Sequence, residues 1–188
     1  DITPFYAEGG GQVGDCGIII AGDREFKVVG ATRDQDRIVH LVTKETDFPF
    51  DRDSYQLLVG VERRRMIAAN HTATHLLQAA LRKFLGEHLH QAGSLVAPER
   101  LRFDFTHYHR LTEDELERIE DEVNQYIACA LPVWGEEIDY QTAVNRGALA
   151  FFGEKYGEKV RTIRIGEVSM ELCGGTHVSN TAELLTST

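Results

Sequence analysis

Ala68-Ala69-Asn70-His71-Thr72-Ala73-Thr74-His75-Leu76-Leu77-Gln78-Ala79-Ala80-Leu81-Arg82-Lys83-Phe84-Leu85-Gly86 is where the chain changes period. Alanine, leucine, lysine and arginine favour a helix here, Asn70 is a candidate N-cap and Gly86 a stop signal. His71, His75, Leu76, Ala79 and Ala80 fall at helical spacing. Upstream the signals are those of short strands: Ile18 to Ile20, a Gly22-Asp23 turn, Phe26 to Val29, the polar stretch Arg33 to Asp36, Ile38 to Val42, and Tyr55 to Val61. So many strands in so short a segment predict a small β-barrel over residues 1–60. The rest, 61–188, reads as an α+β core with an antiparallel sheet packed on helices.

Downstream, Leu101, Phe103 and Phe105 alternate with Arg102 and Asp104, as in a half-buried strand. Thr112 and Glu115 form a capping box, with Leu111 placed to staple onto Leu116. Leu116, Ile119, Val123 and Ile127 make an apolar stripe, read as packing against a sheet, and Pro132 ends the run. A short helix is expected over Thr142 to Phe152 with Gly153 just past it. Val160 to Ile165 and Val168 to Leu172 read as strands joined by Gly166-Glu167.

Composition narrows the function. No run of about 18 apolar residues is present, so no membrane span is expected. The first residues show neither a basic stretch nor an apolar signal core. Three separated cysteines follow no disulfide framework and point to a reduced, cytoplasmic setting. A formal charge of −10 argues against gripping nucleic acid by charge alone. The one dense basic run, Arg63-Arg64-Arg65, is either a solvated helix face or a phosphate contact.

His71 and His75, four apart, share one helix face. Cys173 and His177 stand in Cys-Gly-Gly-Thr-His, where the glycines let thiolate and imidazole converge. Three nitrogens and one sulfur suit tetrahedral Zn2+. The pairs lie too far apart for a zinc finger, and Thr72 stands where a zincin helix carries its general-base glutamate. A closed shell of four protein ligands leaves two catalytic options open. Either a ligand is displaced or the shell expands when substrate arrives, or the metal shapes the pocket while a water acts nearby.

These residues resemble a known family. Phe5 to Asp15 looks like the glycine-rich motif of alanyl-tRNA synthetases, with Gly9 where the family often has serine, and Asn70 to Leu77 like their first zinc motif. Gln91 to Val96, Leu101 to Phe105, Phe152 to Gly157 and Glu171 to Val178 match further segments in order. The resemblance implies a module that edits rather than charges, with no ATP use. Its fold would be a small β-barrel beside a zinc core, similar to threonyl-tRNA synthetase editing. Its reaction would be hydrolysis of alanine-specific tRNA wrongly carrying serine or glycine. The metal ligands fall on His71, His75, Cys173 and His177, and the residues near the amino acid on Thr74 and Gln91. The tRNA end is expected to meet Gly10, Gly11, Gln12, Ser94 and Arg63, with Gln12 lining the pocket. For Thr74 the plain alternative is a hydroxyl bonded to its own helix backbone. For Gly9 to Gln12 it is a turn that merely needs glycine. The resembled family continues into further strands past the point matching Thr188. Partners would be mischarged tRNA and the remaining synthetase domains. The competing readings are a structural-zinc module that only docks RNA or another domain, and a freestanding editing protein acting in trans.

Overall fold

The computed structural model describes residues 2–43, 48–49, 54–150 and 157–186. The segment Phe152 to Tyr156, and with it the end of the helix expected to reach Phe152, lies outside the described residues.

Strands β1 (Gly17–Ala21), β2 (Arg24–Asp34), β3 (Arg37–Val42) and β4 (Gln56–Val59) form one antiparallel sheet in the order β3-β2-β1-β4. Register pairs Ile19 with Phe26 on one side and Leu57 on the other. Phe5, Ile19, Ala21, Phe26, Val28 and Ala31 form its apolar core. Among the described residues this is an open sheet, not the expected barrel: β3 and β4 are edges that do not pair. Closing a sheet around a side-chain core takes more tilted strands than four, typically about eight. The polar stretch Arg33 to Asp36 is shorter as a turn than its composition suggests. β2 runs on through Asp34, and only Gln35 and Asp36 make the turn.

Helix α1 spans Val61–Leu85, starting well before the expected N-cap. Asn70 lies inside it, and its side-chain amide donates to the carbonyls of Ala97 and Pro98 at 2.7 and 3.1 Å. Gly60 caps the helix without a side-chain bond, Glu62 in the first turn and Arg82 and Lys83 in the last complement the helix dipole, and Gly86 at φ 108° ends it. One side of α1, through Ala68, Ala69 and Leu76, packs on Val133, Ile163 and Ile165 of a second sheet. That sheet is β7 (Val133–Asp139), β8 (Lys159–Ile165) and β9 (Ser169–Leu172), antiparallel in that order. Another side, through Ala80 and Leu81, meets Leu89 and Ile119.

Ile119 belongs to α2 (Glu113–Ala128). The expected capping box is present, Thr112 Oγ1 accepting from Glu115 N–H at 3.2 Å and Glu115 Oε2 from Thr112 N–H at 2.8 Å. The staple is not: Leu116 is 52% exposed, and Leu111 packs toward the Leu81–Ile119 cluster instead. The stripe through Ile119, Val123 and Ile127 packs chiefly toward α1, with Phe103 and Phe105 joining it, so its main partner is a helix. Those two phenylalanines lie on β6 (Leu101–Phe105), paired with β5 (Gln91–Val96) in a two-stranded sheet. A short α3 (Tyr140–Asn145) follows β7, shorter than expected because Gly147 at φ 83° turns the chain. A 3₁₀ helix spans Thr181–Thr186.

The N-terminal sheet docks on this core along the glycine-rich segment. Val13 N–H donates to the Val96 carbonyl at 3.0 Å, and Val96 N–H to the Gly11 carbonyl at 2.8 Å. Two residues of the basic run clamp the same seam. Arg63 Nη1 donates to the Gly14 carbonyl at 2.8 Å, and Arg64 pairs with the buried Asp15 carboxylate. No helix among the described residues is long and apolar enough to cross a membrane.

Candidate metal centre

His71 and His75 are both buried on α1, one turn apart. β9 delivers Cys173 just past its last residue, and the Gly-Gly-Thr turn returns His177 to the same place. The four donor atoms, one from each residue, lie within 4.8 Å of one another. Cys173 Sγ stands 3.5 Å from His71 Nε2 and 3.3 Å from His177 Nε2. The two pairs, remote in sequence, therefore converge on one point.

The far nitrogen of each imidazole faces a polar group. His71 Nδ1 donates to Gln12 Oε1 at 2.7 Å, and His177 Nδ1 lies 3.1 Å from Thr72 Oγ1. His75 Nδ1 faces Glu171 Oε2 at 3.7 Å, and both atoms are buried without a hydrogen bond. A carboxylate behind a histidine is the arrangement by which metal-ligating imidazoles are held in one tautomer and made more basic. The donor set and this orphaned buried pair both fit a metal ion.

Burial sets the protonation. It pushes His71 down to about 4, with the Arg161 guanidinium adding to the effect. His75 and His177 are held well below the usual imidazole range, first by burial and then by their neighbours in the cluster and Arg161. Neutral imidazoles are the form that binds metal. Burial raises the Glu171 carboxyl to about 8, opposed by the Ser169 hydroxyl that donates to Oε1 at 2.9 Å.

The Cys-Gly-Gly-Thr-His turn is pinned from outside by Arg161, whose Nη1 donates to the Cys173 and Gly175 carbonyls at 3.0 and 2.6 Å. The two glycines differ. A β-carbon on Gly174 would meet nothing within 4 Å, whereas one on Gly175 would collide with the His71 ring and stand 2.7 Å from Gln12 Oε1. Only Gly175 is required by close approach.

Three residues of the cluster line a cleft of about 260 Å³, and His177 stands behind them. Thr74, Gln91, Ser94 and Gly10 all line it beside His71, His75 and Cys173. The Thr74 hydroxyl donates to the Asn70 carbonyl at 2.8 Å, the helix back-bond weighed above, and keeps its oxygen lone pairs. Gly11, expected to meet the tRNA end, is not among the lining residues; its φ is 82°, and a β-carbon there would stand 2.8 Å from the Ser94 carbonyl. Two further expectations change. Gln12 is fully buried behind His71 and does not line the cleft; its Oε1 also accepts from Thr176 N–H at 2.9 Å, so it ties α1 to the ligand turn. Arg63 is spent on Gly14 and is likewise absent from the lining. Tyr6, Arg33 and Gln78 line the cleft without having been singled out from sequence. Burial first, then the Cys173 thiol, pushes the Tyr6 hydroxyl up to about 12, so it stays protonated and donates to the Gly9 carbonyl at 2.8 Å.

Comparison with known proteins gives this geometry a family. The chain is 52% identical over 184 residues, 98% of its length, to an alanine–tRNA ligase of Thermoanaerobacter sp. (strain X514). It is 48% identical over 185 residues to that of Pelotomaculum thermopropionicum, and 48% over 198 to that of Chlorobium phaeobacteroides. The chain belongs to the alanyl-tRNA synthetase family. It spans 21–22% of the length of these alanyl-tRNA synthetases. Residues 160–185, which carry Cys173 and His177, match the family described as the threonyl and alanyl tRNA synthetase second additional domain. Residues 1–52 match the family described as tRNA synthetases class II (A). The described part of this second match is the glycine-rich segment with β1 to β3.

Proposed function

We propose that this chain is the editing part of an alanyl-tRNA synthetase, hydrolysing alanine-specific tRNA wrongly esterified with serine or glycine. The observation that carries the reading is the convergence of four donor atoms within 4.8 Å, with His71, His75 and Cys173 among them lining a cleft beside Thr74, Gln91 and Ser94. The ion best suited to them is zinc. A tetrahedral shell with bonds of about 2.0–2.3 Å separates its donors by roughly 3.3–3.7 Å, and the Cys173 sulfur stands 3.3 and 3.5 Å from two imidazole nitrogens. When bound, zinc supplies positive charge beside the cleft.

The chain's own residues do the rest. Gln12 and Thr72 hold two of the imidazoles in place, and Glu171 faces the third. Thr74, Gln91 and Ser94 offer hydroxyl and amide groups to the ester or to the attacking water. Hydrolysis adds one water across the ester, giving the free amino acid and the terminal adenosine hydroxyl. Gly10 lets backbone approach the tRNA end, and Arg33 brings a cation to the same cleft. With a net charge of −10, the chain depends on the other synthetase domains for most of its hold on tRNA. The setting is the cytoplasm, where free thiols stay reduced.

A synthetic site cannot strongly reject glycine by size, and an added hydroxyl can also slip through an apolar pocket, which is why a second site is needed. The complete set of four protein donors favours a second reading, in which the metal is structural and the chain only docks RNA or another domain. Deacylation of seryl-tRNA for alanine by the purified, zinc-loaded protein separates them. The editing reading expects hydrolysis that is lost on metal removal and in Cys173→Ala. Unfolding on metal removal, with no deacylation at any protein concentration, supports the structural reading, and activity unaffected by metal removal contradicts the editing one.

A further inference from the structure

Half of the chain's eight histidines stand in two short segments, His88-Leu89-His90 and His107-Tyr108-His109, and take no part in the metal centre. The fold sets these segments side by side. The first follows Gly86 at the end of α1, about 15 Å further along the helix axis than His75. The second follows β6, and the ladder that pairs Gln91 with Phe105 continues outward, Thr106 N–H donating to the His90 carbonyl at 3.0 Å. His88 and His107 meet there with ring planes 22° apart, and His88 Nε2 stands 3.4 Å from His107 Nδ1. Tyr108 stacks on the His88 ring with centroids 4.5 Å apart, and the His109 ring lies 4.5 Å from that of His107.

The nitrogen contact is long for a hydrogen bond. Among the described residues the other ring nitrogen of His107, Nε2, is buried with no hydrogen-bond partner, so Nδ1 is the one that the ring presents to a neighbour. Two imidazole nitrogens at this separation match adjacent corners of a tetrahedral zinc shell, whose bonds of about 2.0–2.1 Å set them roughly 3.3–3.4 Å apart. Both rings are half-buried and held by their ring contacts, so little side-chain freedom is left to lose when an ion binds.

We propose that His88 Nε2 and His107 Nδ1 form a second zinc site, with water completing the shell. It shares no residue with the first centre and does not depend on the editing reading. Ligation through these two atoms puts the ring protons on His88 Nδ1 and His107 Nε2, which leaves the facing nitrogens their lone pairs. With two protein donors and no thiolate, the site is weaker than the four-donor centre and fills after it.

Nitrogen chemical shifts of isotopically labelled histidines, followed while zinc chloride is added to the whole chain, test the site atom by atom. The first equivalent is expected to move His71, His75 and His177. The second is expected to move His88 Nε2 and His107 Nδ1 together. Competition titration is expected to show one equivalent fewer in His88→Gln and in His107→Gln; where a variant does not fold, the shifts of the unsubstituted protein decide. A second equivalent that leaves these two nitrogens unmoved, or moves other side chains instead, overturns the site, as does an undiminished stoichiometry in a folded His88→Gln. A first equivalent that bypasses the three cluster histidines would instead strike the four-donor centre.

Discussion

Gly175→Ala and Gly174→Ala differ by one position and should differ sharply in effect. At Gly175 the new methyl group would fall within the His71 ring and 2.7 Å from Gln12 Oε1. Neither neighbour can retreat freely. His71 is buried and bonded to Gln12, which is fully buried and holds Thr176. The ligand turn cannot move away without giving up the Arg161 bonds to the Cys173 and Gly175 carbonyls. Overpacking of this kind costs about 1–3 kcal/mol. Taken from the arrangement that brings the donors together, that lowers zinc affinity about fivefold to a hundredfold. Gly174 has open space and no positive φ, so alanine there should leave affinity within about twofold. Competition titration against a chromophoric chelator measures both. Equal affinities for the two variants would refute the argument that the turn and the His71 ring are packed against each other at Gly175.

Glu171→Gln removes the carboxylate facing His75 and should weaken zinc binding about tenfold to a hundredfold, read by the same titration; an unchanged value would show that Glu171 does not support His75. Asp15→Ala strips Arg64 of its carboxylate and Tyr6 N–H of its acceptor at the seam, and should cost about 3 kcal/mol, measured by urea unfolding; a loss under about 0.5 kcal/mol would show that the seam does not need the pair. The metal-free protein should lose stability as pH falls from about 6.5 toward 4. Three imidazoles are neutral in the fold and protonate when the chain unfolds. Glu171, raised to about 8, acts the opposite way above 4.5 but is one group against three. Melting temperatures of chelator-treated protein at pH 7 and pH 5 check the sign, and a higher value at pH 5 would reverse it.

The metal cluster was legible because its residue types carry the chemistry: two histidines four apart on a helix and a cysteine-histidine turn need only one assumption, that the pairs meet. The strands at 18–20, 38–42, 101–105 and 160–172 were legible from alternation and turn residues. Asn70 misled because a residue able to cap can equally serve inside a helix, here by tying α1 to Ala97 and Pro98. β5 hides among the small residues Ala92, Gly93 and Ser94, and β7 among Gly135, Glu136 and Glu137, so neither shows strand propensity. The residues around the cluster were the least visible. Glu171 and Arg161 sit in ordinary strand positions; their significance arises only from what the fold places opposite them.

The central claim is that the two side-chain pairs hold one ion together. X-ray absorption at the zinc edge, on protein reconstituted with one equivalent, tests it most directly. The account predicts a shell of one sulfur at about 2.3 Å and three imidazole nitrogens at about 2.0–2.1 Å, with the sulfur lost in Cys173→Ala. A spectrum without sulfur in the unsubstituted protein, or one dominated by oxygen, would contradict it.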